Sequence, residues 1–170
     1  MKTIFALVLA ISPALAAQTT DGAPKPLTLP IAMEAAQATY DACKAKGFDV
    51  GVTVLDTAGH NVVFLRSEKA PPHVIEGSHM KAYTIVCMGA LTGNDGTSTL
   101  AQGLLSSVGS QQVAFIPGFL LIQGGYVIKS YGQVIGAIGV AGSKQAKPGE
   151  LGNDEQCAKA GADKVAPKLN

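Results

Sequence analysis

Apolar residues recur at helical spacing in several parts of this chain. After the N-terminal region, Ile31, Ala35, Ala38 and Ala42 lie on one face of a predicted helix. The pattern predicts four helical segments in chain order: a helix capped by Thr28 and ended by Gly47, a helix from Val74 to Met88, a short helical patch from Ser98 to Leu105, and a last helix that opens with a capping box of Asn153 and Gln156.

Shorter apolar runs bounded by turn residues predict strands. The predicted strands are Val50–Asp56, Asn61–Arg66, Leu120–Gln123, Tyr126–Lys129 and Val134–Val140. Tight turns join neighbouring strands, which favours an antiparallel sheet, and the helices are expected on its faces. The predicted class is therefore α+β. Gly136 and Gly139 inside the last strand indicate close approach of another backbone or of a ligand.

The N-terminus has the pattern of a secretory signal peptide. Lys2 precedes the uncharged apolar run Ile4–Ile11, and Ala14–Ala16 has the small-x-small form of a cleavage site. The run is shorter than the roughly 20 residues that span a bilayer. We expect residues 1–16 to be removed and the protein to be periplasmic or secreted, without a membrane span. The predicted organisation beyond the signal is a flexible leader at 17–27, one domain at 28–166 and a tail at 167–170.

Charge and composition narrow the classes of partner. The chain has 13 Lys and Arg against 12 Asp and Glu, so loss of Lys2 with the signal leaves a formal charge of zero. A neutral chain without a basic block lacks the electrostatic footprint of a nucleic-acid-binding protein. Hydrophobic residues make up 47% and charged residues 15%, which indicates apolar surface that is covered by other subunits or by a ligand.

Three cysteines lie beyond the predicted cleavage site, so at least one has no partner within the chain. Cys43 and Cys157 fall on the first and last predicted helices, and an oxidising compartment permits a disulfide between them. Cys87 falls in an apolar helix, where its expected role is that of a small buried hydrophobe.

Several motifs in fixed order resemble the GlcG/HbpS family of heme-binding proteins. Val54–His60 is similar to that family's V-x-D-x-x-G hairpin, and Lys81-Ala82 is similar to the K-A of its following helix. The glycine-rich stretch from Gly124 to Gly142 and the segment Asp154–Gly161 are similar to its "GG…G-x-v-I-G-a-I-G-V-S-G" and "D-E-x-C-A-x-A-G" patterns. Arg66 lies at the position where that family has an arginine at the end of the second strand.

The resemblance covers roughly residues 28–166 and implies a profilin-like antiparallel sheet flanked by helices. It also implies assembly into homo-oligomers and binding of heme. Two departures concern pocket detail: Val127 replaces a proline that follows the family's glycine pair, and Ala141 replaces its serine.

Candidate heme residues are few. As iron ligand we place His79 first, beside Met80 on the second helix, then His73, then His60 at the hairpin turn. Lys81 and Arg66 are candidates for the propionates. The alternatives remain open. A surface or core-edge position is the default explanation for each histidine, and Lys81 and Arg66 could each equally be a structural cation. That role is preferred for Arg66, because an arginine at a strand end commonly pairs with a carboxylate.

Other chemistries have little support in the sequence. Glu76 and His79 share a helix face, but two ligands do not make a metal site. Nucleophile-elbow, zincin and Walker-type motifs are absent. The expected function is an exported protein for heme capture, storage or sensing. The alternatives are an oligomeric accessory or sensor subunit that binds an envelope protein without a cofactor, and a small-molecule enzyme with a pocket near Asp56 and Lys81.

Overall fold

The computed structural model describes residues 22–144 and 150–170. The predicted signal peptide and residues 17–21 of the predicted leader lie outside this part of the chain. In chain order the elements are α1 (Leu29–Ala45), β1 (Gly51–Asp56), β2 (Asn61–Arg66), α2 (Val74–Thr92), α3 (Thr97–Ser106), a 3-10 helix (Ser110–Phe115), β3 (Gly125–Ser130), β4 (Gln133–Ala141) and α4 (Asn153–Leu169).

The four strands form one antiparallel sheet in the order β2-β1-β4-β3. Helices α1 and α4 cover one face and α2 covers the other, where α3 packs against α2. This arrangement confirms the α+β class with helices on both faces of an antiparallel sheet. Among the described residues, no helix has the length and apolarity that crossing a bilayer would need.

Strand alternation divides the core between the two faces. Val52 and Val54 of β1 point with Ile138 and Val140 of β4 into the layer under α1 and α4. The intervening positions of the same strands face α2, where Leu55 is buried in a second cluster.

The glycines of β4 allow α2 to lie directly on the sheet. A Cβ at Gly139 would stand 1.9 Å from the carbonyl oxygen of Ser78 and 2.6 Å from the nitrogen of Ala82. The close approach predicted from glycine in this strand is confirmed, and its partner at Gly139 is a helix backbone.

A disulfide joins Cys43 of α1 to Cys157 of α4, with 5.5 Å between their Cα atoms. The pairing that the sequence permitted is therefore present. Gly161 lies on the same helix pair, where a Cβ would meet Thr39 Oγ1 at 1.9 Å. Small residues and a covalent bond thus hold α1 and α4 together.

Two predictions about elements are wrong. Residues 120–123 form no strand, because the Leu120 N–H donates to Thr84 Oγ1 at 2.7 Å instead of to a neighbouring strand. Helix α4 is capped by Gly152 and not by Asn153, and no side chain bonds the cap. The Gln156 amide instead donates to the Leu151 carbonyl oxygen at 2.6 Å.

The ends of the domain are more ordered than expected. The Lys25 N–H donates to Ser130 Oγ at 2.9 Å, and Leu27 packs against the core. At the other end, three of the four residues expected as a tail, 167–169, belong to α4, and Leu169 is buried. Residues on both sides of the predicted domain therefore pack against it.

Candidate functional site

A buried lysine lies at the centre of the candidate site. Lys81 projects from α2 and is 6% exposed. Its Nζ donates to Asp154 Oδ2 at 2.7 Å and to the Val140 carbonyl oxygen at 3.0 Å. Because a buried ammonium needs a counter-charge and hydrogen-bond acceptors, the first turn of α4 and the end of β4 together stabilise its position.

Asp154 also fixes the chain that leaves the sheet. Its second oxygen, Oδ1, accepts the Ser143 N–H at 3.0 Å. The Asp154 carboxylate thus connects the start of α4, through hydrogen bonds, to Lys81 of α2 and to the segment that follows β4.

The next residue, Glu155, is a second buried carboxylate, with 2% exposure. Its oxygens accept the Ser98 N–H at 2.9 Å, the Ser98 hydroxyl at 2.5 Å, the Thr97 hydroxyl at 3.1 Å and the Gly124 N–H at 3.2 Å. The carboxylate caps the start of α3, where amide groups lack helical partners and negative charge is favoured. Glu155 therefore positions α3 and the segment before β3.

These elements enclose a cleft of about 660 Å³. One wall is apolar, formed by Leu120, Leu121 and Ile122 with Ala101 of α3. The rest of the lining consists of Gly77, Ala141, Gly142 and Gly152 together with the polar and charged residues His73, Lys81, Ser98, Gln123, Ser143, Lys144, Glu150, Asn153 and Asp154. The volume lies within the range of small-molecule and cofactor sites, which combine apolar walls with a few polar groups.

Two of the six candidate residues from the sequence line this cleft, His73 and Lys81. His73 precedes α2 and is exposed at the cleft. Lys81 is already engaged by a carboxylate and a carbonyl oxygen, so its main role in the structure is to hold the base of the cleft together.

His79 and Met80 are half-buried and do not line the cleft. The His79 ring stacks on Tyr83 with 6.1 Å between centroids, and its Nδ1 lies 3.4 Å from Asn61 Oδ1 on β2. His79 thus lies beside the edge strand β2.

The remaining two candidates, His60 and Arg66, also lie outside the cleft lining. His60 is exposed at the hairpin turn, with Nδ1 3.4 Å from Asp56 Oδ2. The Arg66 guanidinium donates to the Ala70 carbonyl oxygen. This contact agrees with a structural role for Arg66, although the partner of the guanidinium is a carbonyl oxygen and not the expected carboxylate.

A metal site of protein ligands has no support in residues 22–144 and 150–170, where no cluster of three or more His, Cys, Asp or Glu side chains occurs. The pair Glu76 and His79 gains no third ligand there. Cys87 is half-buried and packs on the cluster under α2. Burial raises the pKa of its thiol, which disfavours the reactive thiolate.

Sequence reasoning missed the two carboxylates that organise the site. Asp154 and Glu155 enter the sequence prediction only through the family-like segment Asp154–Gly161, although two adjacent acids at the start of a helix rich in small residues are a signal in themselves. The apolar wall at 120–122 was also missed, since it was interpreted as a strand.

Comparisons with known proteins agree with this architecture. A family profile described as "Haem degrading protein HbpS-like" matches residues 27–163. A crystal structure of HbpS is 33% identical, with a TM-score of 0.69 and alignment over 92% of this chain and 97% of that chain. A double mutant of Streptomyces reticuli HbpS is 32% identical, with a TM-score of 0.68 and alignment over 91% of this chain and 97% of that chain.

A more distant structure, the PduOC:heme complex, is 19% identical with a TM-score of 0.68, and the alignment covers 83% of this chain and 96% of that chain. At this identity the likeness concerns the fold alone. A search of curated proteins gave no significant match. The profile match over most of the chain and the likeness to HbpS establish that this protein belongs to the HbpS-like family.

Proposed function

We propose that this protein is an exported heme-binding protein that acts in heme capture, storage or sensing. Membership of the HbpS-like family is the observation that carries the proposal. A structural relative with the same fold, PduOC, is described in complex with heme. The signal-like N-terminus supports handling of heme outside the cytoplasm.

The composition of the cleft lining supports heme as the proposed ligand. The macrocycle needs apolar surface, the iron needs an axial ligand, and the propionates need cations or hydroxyl groups. Leu120–Ile122 offer the apolar wall, the His73 imidazole is an axial candidate, and Lys144 with Ser143 suits a propionate. Among the described histidines, His73 is the one in the cleft lining, so we propose it before His79 as the iron ligand.

Titration of the purified mature chain with hemin tests this assignment. We expect a shift of the Soret band at stoichiometric hemin. Because the iron loses an axial ligand, His73→Ala should weaken hemin binding by about tenfold or more, which corresponds to about 1.4 kcal/mol. His60→Ala is the matched control and should leave the titration unchanged.

Three results would contradict parts of the proposal. Absence of any Soret shift would rule out heme binding. Loss of the shift in His79→Ala but not in His73→Ala would move the ligand to the outer surface of α2. An unprocessed N-terminus on chain recovered from the envelope fraction, measured by intact mass, would rule out cleavage after Ala16.

The family description names heme degradation. The stability of the complex with hemin distinguishes a protein that holds heme from one that degrades it. A Soret band that is stable in air for hours, with and without ascorbate as reductant, supports capture, storage or sensing. Loss of the band with release of iron when ascorbate is present would favour degradation.

A further inference from the structure

The apolar wall of the cleft has no regular secondary structure. Its residues, Leu120–Ile122, belong to no helix or strand, and Leu120 and Leu121 are half-buried while Ile122 is exposed. A segment of this kind lacks the ladder of backbone hydrogen bonds that fixes a strand in a sheet. Its position against a ligand therefore depends on single contacts near its ends.

Two backbone amides anchor this wall to the rest of the domain. At its start, the Leu120 N–H donates to Thr84 Oγ1 at 2.7 Å. Two residues beyond its end, the Gly124 N–H donates to Glu155 Oε2 at 3.2 Å. Both acceptor residues are buried, with 0% exposure for Thr84 and 2% for Glu155, so water does not compete for these bonds. The wall is thus held between α2 and α4.

The Thr84 hydroxyl is oriented toward the wall by its own helix. Its proton is donated to the Met80 carbonyl oxygen, one turn earlier, at 2.8 Å. That bond leaves a lone pair of the hydroxyl oxygen for the Leu120 N–H. The preceding residue, Phe119, is 8% exposed and packs edge-to-face on Tyr83, with 5.8 Å between ring centroids. The Leu120 amide therefore meets its acceptor in buried surroundings.

We propose that Thr84 is a positioning residue of the ligand site, which acts through Leu120 and contacts no ligand itself. Thr84 lies one helical turn after Lys81 on α2 but, unlike Lys81, does not line the cleft. A gap of about 0.5–1 Å forfeits roughly a quarter to a half of the attraction between two atoms, so a small movement of the wall weakens binding of an apolar ring. The assignment rests on the proposed binding of heme in this cleft.

Thr84→Val tests the proposal, because valine keeps the shape of threonine and presents a methyl group to the Leu120 N–H. We expect this variant to bind hemin about tenfold more weakly or worse, because the wall moves when its amide loses a buried acceptor. The Soret band of its complex should also be broader, since the macrocycle is held less firmly. Thr84→Ser keeps the hydroxyl and should restore both the affinity and the band.

Thr39→Val is the matched control. Thr39 is also fully buried, and its hydroxyl donates to the carbonyl oxygen four residues earlier, that of Ala35, at 2.8 Å. It lies on α1, which covers the opposite face of the sheet from α2. Loss of the same kind of bond at Thr39 should lower stability but leave the affinity for hemin and the Soret band unchanged.

Hydrogen exchange measured by NMR without hemin gives an independent readout. In Thr84→Val the Leu120 amide should exchange about tenfold faster or more relative to the Gly124 amide, because it has lost its acceptor. Thr39→Val should leave this ratio unchanged. Since the measurement needs no hemin, failure of the unsubstituted chain to bind hemin would contradict the proposed function and not the role of Thr84 in holding the wall.

The positioning role of Thr84 is contradicted by any of three results. The first is unchanged affinity for hemin in Thr84→Val although the Leu120 amide has lost protection. The second is an equal loss of affinity in Thr84→Val and Thr39→Val, which would assign the effect to general destabilisation. The third is a Thr84→Ser variant that behaves like Thr84→Val, which would show that the hydroxyl is not the group that matters.

Discussion

At the scale of single residues, Gly139 determines how closely α2 lies on the sheet. The space that a Cβ would need there is occupied by the Ser78 carbonyl oxygen and the Ala82 nitrogen. Both are helix backbone atoms, so no flexible side chain can move aside. The Ser78 hydroxyl is also hydrogen-bonded to Thr53 on β1 at 2.7 Å, which further fixes α2 on the sheet.

We predict that Gly139→Ala lowers the free energy of unfolding by about 3 kcal/mol or more, because the helix must move away from the sheet. Urea denaturation followed by circular dichroism measures the change. Gly103→Ala is the matched control: apart from its chain neighbours and the backbone of its own helix, no heavy atom of the described residues lies within 4 Å of its added Cβ. In a helix interior that change should stabilise by up to about 1 kcal/mol. Equal effects of the two substitutions would contradict the packing argument.

At the scale of elements, local signals predicted some segments well and others not. The bounds of β2 were predicted as they stand, since a short apolar run and a turn at residues 57–60 act within a few residues. The segment Leu120–Gln123 has the same apolar appearance as a strand, yet Leu120 bonds to Thr84 on a distant helix. A pattern along the chain cannot distinguish a strand from an apolar wall that borders a cleft.

The β1–β2 hairpin gives a prediction about pH. Asp56 Oδ1 accepts the N–H groups of His60 and Ala58, each at 2.9 Å. The bond from His60 is the largest cause that lowers the pKa of Asp56 below 3.8, and partial burial opposes it. A lowered folded-state pKa means that the ionised form stabilises the hairpin above the unfolded pKa, and that this stability is lost as pH falls through the folded pKa.

We therefore expect the difference in unfolding free energy between the unsubstituted chain and Asp56→Asn to be constant above about pH 5 and to shrink below about pH 4. Asparagine keeps an acceptor oxygen and removes the titration, so the comparison isolates the charge. Urea denaturation from about pH 2 to pH 6 measures it. A difference that is independent of pH would contradict the role of the Asp56 carboxylate.

At the scale of the whole molecule, α1 and α4 join the two ends of the described domain into one layer. Cys43 and Cys157 are separated by 114 positions, and both are fully buried. The bond therefore closes a loop that includes the entire sheet. Closing so long a loop restricts the unfolded chain far more than the folded one.

We predict that Cys43→Ala with Cys157→Ala lowers the free energy of unfolding by about 2–5 kcal/mol. Thermal and urea denaturation of the double variant measure the loss. Cys87→Ala, which removes the half-buried free thiol, is the control and should cost less. Comparable losses in the two variants would show that packing, and not the cross-link, accounts for the effect.

The sequence by itself determined the class of fold, the β1–β2 hairpin, the helical segments and the family, because these depend on periodicity, turns and ordered motifs. It also placed Cys43 and Cys157 on helices where a bond was permitted. Only the tertiary structure decided that His73 and Lys81 line the cleft while His79, Met80, His60 and Arg66 do not. Which residues line the cleft depends on how α2, α4 and the segment before β3 pack against one another. The buried contacts of Asp154 and Glu155 fix this packing, and they join residues that are far apart in the chain.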